Sequence, residues 1–236
     1  MQNKITPNKS YSPFRAGAGT NLFLLILATV VFVYAFFIYD DSKPLRYLPI
    51  YGEKNYEAKN GKTDTIFHTI QNFSFINQDG KTITQKDFDN CVYVADFFFT
   101  TCHSICPIMS TQMQRIAEHF KGNKEVKFLS HTVDPETDTV EQLKRYAIQH
   151  KADAKQWMLV TGDKKALYDV ARTSYLLDAE KGDGGQDDFI HTQNFALIDK
   201  DKRIRGYYDG TNTTEMNQLI KDIDLLLAEE HYKEKK

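Results

Sequence analysis

Hydrophobic positions fall into distinct regimes along the chain. From Leu22 to Ile38 they are continuous and uncharged. From about Thr65 onward they become short runs, some with a strand-like period and some with a helix-like one, separated by turn residues. At 1.5 Å rise per residue the first run spans roughly 25 Å, which reaches bilayer thickness once interfacial Asn21 and Tyr39 are added. Lys4, Lys9 and Arg15 precede it, and Asp40, Asp41 and Lys43 follow it. The positive-inside rule therefore puts residues 1–20 in the cytoplasm as a polar tail, a single transmembrane helix at 21–39, and everything later across the membrane. A cleaved signal peptide is the competing reading. The run exceeds a usual signal core, and no small-x-small site follows it. Residues 40–64 hold Pro44, Pro49, Gly52, Gly61 and several lysines, the composition of a linker, and a folded domain is expected over 65–236.

Within that domain, Phe73–Ile76 and Lys81–Thr84 flank an Asp79-Gly80 turn and predict a β-hairpin. Val92–Phe99 is almost wholly apolar, as in a central strand covered on both faces. Ile108, Met113, Ile116 and Phe120 have helical spacing after Pro107, and Gly122 marks the stop. Val126–Val133 reads as a strand. Thr139 with Gln142 has capping-box spacing for a helix to about His150. Trp157–Val160 reads as a strand, and Asp163 caps a helix to about Ser174. Residues 178–188 are glycine- and acid-rich and read as a loop. Two strands, Asn194–Asp199 and Arg203–Tyr208, precede a helix opened by Asn212 and Glu215 and running to about Glu229. The order ββ, β-α-β-α-β-α, ββ-α is that of an α/β thioredoxin-like layer with an additional N-terminal β-hairpin, preceded by the single transmembrane helix.

Composition adds little to this picture. The 236 residues carry a net charge of −2, so bulk electrostatics favour no nucleic-acid partner. There are 3 cysteines, and their placement carries the chemistry. Cys102 and Cys106 sit at the junction of the buried strand and the helix, separated by three residues. Such a pair is a redox couple or a soft-metal clamp. Pro107 suits the first position of a helix, which sets Cys106 near its N-terminus, where N–H groups and the helix dipole favour a thiolate. Across the membrane the pair can oxidise to a disulfide. Cys91 opens the buried strand and reads as a small packed side chain.

Two thiolates favour Cu(I) or zinc, and a structural zinc site needs four ligands. Of 7 histidines, His68, His119, His150 and His231 read as surface residues, and His131 reads as part of the core. His191 stands apart, directly before the strand that packs beside the cysteine loop in a thioredoxin-like layer. Thioredoxins carry a cis-proline there, whereas this chain has no proline after Pro135. Peroxiredoxins place Pro and Thr seven and three residues before their cysteine, and here those positions are Ala95 and Phe99. Asp96 is an acid in an apolar strand, six residues before Cys102, and is a candidate proton acceptor for thiol chemistry.

Phe97-Phe98-Phe99-Thr100-Thr101-Cys102-x-x-x-Cys106-Pro107, then Thr132-Val133-Asp134-Pro135-Glu136-Thr137-Asp138-Thr139, then Phe189-Ile190-His191-Thr192-x-Asn194-Phe195, resemble the Sco/SenC family in its motif order over about residues 65–228. The resemblance implies copper, as Cu(I) and/or Cu(II), held by Cys102, Cys106 and His191. It implies a membrane-anchored chaperone that helps mature the copper centre of cytochrome c oxidase subunit II. The alternative role is an extracytoplasmic thiol–disulfide oxidoreductase for the oxidase or other clients. Implied partners are that subunit or a similar copper protein, another copper chaperone or thiol reductant, and the membrane through the N-terminal helix. The implied location is a bacterial inner membrane, with the domain in the periplasm or outside. Many members have Pro-Asp after the first cysteine, where this chain has His103-Ser104. Many have Asp before the histidine, where this chain has Ile190, so a group that would orient His191 is absent. His103 and Asp134 are further candidate ligands.

Overall fold

The computed structural model describes residues 18–38, 46–59, 62–177, 190 and 192–235. The chain divides into two units, Met1–Lys43 and Pro44–Lys236. The first contains helix α1, Ala18–Ile38, of 21 residues. Its large apolar side chains from Leu22 to Tyr34 are exposed. Among the described residues no helix is long and apolar enough to cross a membrane.

The second unit is built around strand β5 (Val92–Phe98), every residue of which is buried. Side chains alternate across a strand. Val92, Val94 and Phe98 therefore enter one apolar cluster, while Tyr93, Ala95 and Phe97 enter another on the opposite face. Strands β6 (Val126–Thr132) and β7 (Trp157–Thr161) extend β5 in parallel. The hairpin β3 (Ser74–Asn77) and β4 (Thr82–Thr84) joins β7 antiparallel. On the other side of β5, β8 (Asn194–Ile198) and β9 (Ile204–Asp209) are antiparallel. The sheet order is β4-β3-β7-β6-β5-β8-β9. Helices α2 (Cys106–His119), α3 (Val140–Gln149) and α5 (Thr213–Glu234) supply Met109, Met113, Leu143, Tyr146, Leu219 and Ile223 to the cluster shared with Val94 and Phe98. The predicted α/β layer with an added hairpin is thus observed.

Local signals explain most boundaries. At the β3–β4 turn, Asn77 Oδ1 accepts from the N–H groups of Asp79 and Lys81, and Gly80 supplies the positive φ the turn needs. Thr139 Oγ1 accepts from Gln142 N, and Asn212 Oδ1 from Thr214 N and Glu215 N, as their spacings predicted.

Some expectations change. Residues 40–64, read as linker, are structured from residue 46. Arg205, buried in β9, donates to the carbonyls of Leu48 and Pro49 and pairs with Asp199 and Glu229. Leu48 is buried and Arg46 pairs with Asp222. Strands β1 (Lys54–Lys59) and β2 (Lys62–Phe67) pair as a second hairpin. The partners of residues 46–49 lie over a hundred residues away, so composition alone read this stretch as linker. The helix expected to reach Ser174 is α4, Lys164–Asp169, followed by a single π turn, Val170–Ser174. Helix α5 runs past Glu229 to Glu234, because Glu234 pairs with Lys200 and Lys233 pairs with Glu229 and Glu230. His150, expected at the surface, is buried against the Tyr146 ring. The glycine-rich loop at 178–188 lies outside the described residues.

Candidate metal centre

Strand β5 delivers the chain to the site, and the loop after it is fixed before the first cysteine is reached. Asp138 is fully buried. It accepts from Thr100 N at 3.2 Å, from Thr100 Oγ1 at 2.5 Å, and from Thr132 Oγ1. Burial raises the Asp138 carboxyl from its ordinary value, and these bonds oppose the rise. One carboxylate thereby ties the ends of β5 and β6 together. It lies inside the quoted motif 132–139, but its role was not read there. The one available signal was an acid placed between two threonine-bearing strand ends.

Cys102 and Cys106 are free thiols, buried at 8% and 4% exposure. Helix α2 begins at Cys106 with Pro107 in its first turn, and Ile105 at the N-cap offers no side-chain cap. A cysteine takes that job: Cys106 N donates to Cys102 Sγ at 3.5 Å. Ser104 Oγ lies 3.5 Å from the same sulfur. Burial raises the Cys102 thiol, but hydrogen bonds from Ser104 and Cys106 outweigh it and bring the group to about 7. Burial, followed by the hydrogen bond with Cys102, pushes Cys106 up to about 12. The thiolate expected on Cys106 falls on Cys102 instead. The helix terminus stabilises a thiolate on Cys102, the residue outside the helix, because its sulfur receives the free N–H.

A cavity of about 60 Å³ opens onto both sulfurs, and its wall includes Phe97, Phe99, Ile105, Val133, Ile190 and Thr192. Ile190 is buried at 2% exposure. His191 itself lies outside the described residues. Among the described residues no group of three His, Cys, Asp or Glu side chains is placed to hold a metal.

Behind the pair, Asp96 faces the same cluster as Phe98, which also holds Cys106. It is 1% exposed and one carboxylate oxygen has no partner. Burial pushes it up to about 7 against a hydrogen bond from Ser130, which also receives Trp157 Nε1. His131, fully buried as expected, faces the other layer. Burial depresses it to about 3, its ring stacks on Phe97 at 4.7 Å, and Nε2 has no partner. His103 is exposed. Asp134 shapes a turn: its carbonyl accepts from Asp138 N and its side chain from Thr137 N. Cys91 is packed, with Sγ donating to Lys124 O and its thiol raised by burial. Ser104, Ser130 and Asp138 are the site residues that sequence reading missed.

A parallel-centred sheet, a strand ending in a thiol pair and a helix starting on the second thiol define a thioredoxin-like domain with a cysteine site. Residues 61–228 match the model of the SCO1/SenC family, and the chain belongs to that family. It is 32% identical over 162 residues to the SCO1 protein homolog of Bacillus subtilis, covering 68% of this chain and 83% of the relative. A SCO1/SenC family lipoprotein from Bacillus anthracis superposes with TM-score 0.60 at 32% identity, covering 68% of this chain and 95% of that one. BsSco, described as a Sco-family cytochrome c oxidase assembly protein with a disulfide switch, gives TM-score 0.58 at 30% identity, covering 67% and 93%.

Proposed function

We propose that this chain is a membrane-anchored copper chaperone that binds one copper ion through Cys102, Cys106 and His191. It assists maturation of a copper centre in cytochrome c oxidase or a similar copper protein. The observation that carries the reading is the cavity on the two thiols, whose wall includes Ile190 and Thr192, the residues on either side of His191. A soft donor pair with an imidazole suits Cu(I). With Cys102 lowered to about 7 and accepting an N–H, its sulfur is a ready donor at neutral pH, while Cys106 gives up its proton on binding. Ile190 and Phe97–Phe99 line the cavity and would keep water from a bound ion. Anchoring is assigned from the uncharged run Leu22–Ile38 and the lysines and arginine before it, with residues 1–20 cytoplasmic, 21–39 spanning, and the domain facing the periplasm or exterior of a bacterial cell. The supporting facts are family membership and the description of BsSco as an oxidase assembly protein.

The test is an anaerobic Cu(I) titration of the reduced chain. One equivalent binds to wild type, and His191→Ala binds more weakly with an unchanged circular dichroism spectrum. Equal copper binding by His191→Ala refutes the ligand set.

A second reading, thiol–disulfide exchange with a client, rests on Asp96. It is a buried acid with an unpartnered oxygen behind Cys106, and the relative BsSco is described with a disulfide switch. In a deletion strain, recovery of oxidase activity by added copper supports the chaperone. Recovery by added thiol alone supports the reductase.

A further inference from the structure

At the N-terminal ends of β6 and β7 the sheet carries a second concavity, about 790 Å³, unrelated to the cysteines. Val92 pairs with Val126 at this end of the sheet, while Phe98 pairs with Thr132 at the cysteine end, so β5 separates the two by about 20 Å. The concavity runs between the C-terminal ends of α2 and α3. Its wall carries five lysines against the acids Glu118 and Asp153, in a chain whose net charge is −2.

Helix C-termini normally bring partial negative charge, and here their carbonyls are capped. Phe120 O accepts from Asn123 N and Gln156 Nε2, Ile148 O from Lys151 N, and Ala147 O from Ala152 N. The acids at this end are also occupied. Glu118 pairs with Lys121, and Glu125 with Lys200 and His231. Asp153 Oδ1 accepts from Lys155 N. Lys127 is turned toward the Asp87 carbonyl and the Phe88 ring. Three exposed ammonium groups remain, Lys124, Lys151 and Lys155, which form no ion pair among the described residues.

The folded unit is entered at the middle of α5, where Arg46 pairs with Asp222, and the chain then runs toward the same end. Leu48 and Arg205 meet Glu229 near the end of α5. The last turns of that helix bind Glu125 and Lys200, beside the concavity. From Ile38 to Arg46 the chain spans at most about 28 Å.

We propose that Lys124, Lys151 and Lys155 form a docking face for the anionic phospholipid headgroups of the bilayer that holds α1. The setting rests on the anchor reading above, but the test is independent of it. Among the described residues every buried hydrophobic residue lies between Leu48 and Leu227, so residues 44–236 carry their own cores and can be studied without α1.

Residues 44–236 are sedimented with vesicles of phosphatidylcholine alone and with added phosphatidylglycerol. The expected result is binding to the anionic vesicles only, weakened by salt. Each surface lysine contributes about fivefold, so Lys124→Glu/Lys151→Glu/Lys155→Glu should lose about a hundredfold. A control with equal charge change away from this face, Lys54→Glu/Lys81→Glu/Lys165→Glu, should lose much less. No binding of wild type to anionic vesicles, or equal loss in both triple variants, overturns the proposal. So does displacement by millimolar inorganic phosphate, which would make the face a small-anion pocket. Failure here with α1 still inserting in the full chain would remove the docking face and leave the anchor standing.

Discussion

Replacing Ser104 by alanine tests how the thiol pair is set. In the reduced, metal-free protein the Cys102 thiol lies at about 7 and Cys106 at about 12. At pH 7 about half of Cys102 is thiolate, against about one percent for a thiol left at 9. The Ser104 hydroxyl at 3.5 Å is one of the hydrogen bonds responsible. At that distance it contributes at the low end for a bond to a charged group, about 1.4 kcal/mol, or about one pKa unit. Ser104→Ala should therefore move Cys102 to about 8. The assay is the pH dependence of iodoacetamide alkylation, with the modified residue located by mass spectrometry. The midpoint is the readout, because a thiolate of higher pKa is more nucleophilic and partly hides a change in rate. Wild type should give a single adduct on Cys102 with a midpoint near 7, and Ser104→Ala a midpoint about one unit higher. The signs for stability follow. Cys102, lowered on folding, adds stability above its unfolded value of 9.0 that is lost as pH falls through about 7. Cys106, raised on folding, removes stability as pH rises from 9.0 through about 12. An unchanged midpoint in Ser104→Ala, or first alkylation at Cys106, refutes this account of the helix terminus.

Other perturbations should behave as follows. Asp138→Ala unties Thr100 and Thr132 and should cost about 3 kcal/mol in urea denaturation; a cost below about 1 kcal/mol would show that the β5–β6 tie is not held there. Arg205→Leu leaves Asp199 buried without its cation and Glu229 and Glu230 with Lys233 alone, and should cost about 3–5 kcal/mol. A milder loss, with the 46–49 segment still protected from hydrogen exchange, would contradict the clamp. His131 is held neutral by burial, with a folded value of about 3. Its unfolded form takes up a proton as pH falls below about 6.5, so wild type loses about 2 kcal/mol between pH 8 and pH 5 from this group. His131→Phe should remove that loss, and identical pH dependence in the two proteins would refute it.

What could be read from sequence was what short-range physics writes into neighbouring residues. The strand at 92–98, the Asp79-Gly80 turn and the caps at Thr139 and Asn212 each declare themselves within a few positions, and all are present. Cys102 and Cys106 were legible because they flank a strand–helix junction. The order of their acidities was not, since it depends on which sulfur meets the first free N–H of α2, a matter of loop geometry. The fastening of residues 46–49 was hidden because its donor, Arg205, comes over 150 residues later. Asp138 was hidden for a similar reason: Thr100, which it holds, lies in the loop after β5, 38 residues earlier. His150 looked like a helix-end surface residue, and only the packing of α3 covers it.

The Arg205 clamp bears on mechanics as well as stability. One guanidinium holds the carbonyls of Leu48 and Pro49 and the carboxylate of Glu229, so the entering segment and the C-terminal helix are riveted together. A pull arriving through residue 46 is delivered in shear to that rivet and to the Arg46–Asp222 pair. The load is borne along α5 from Asp222 to Glu229 and by Arg205 of β9, not by the cysteine loop.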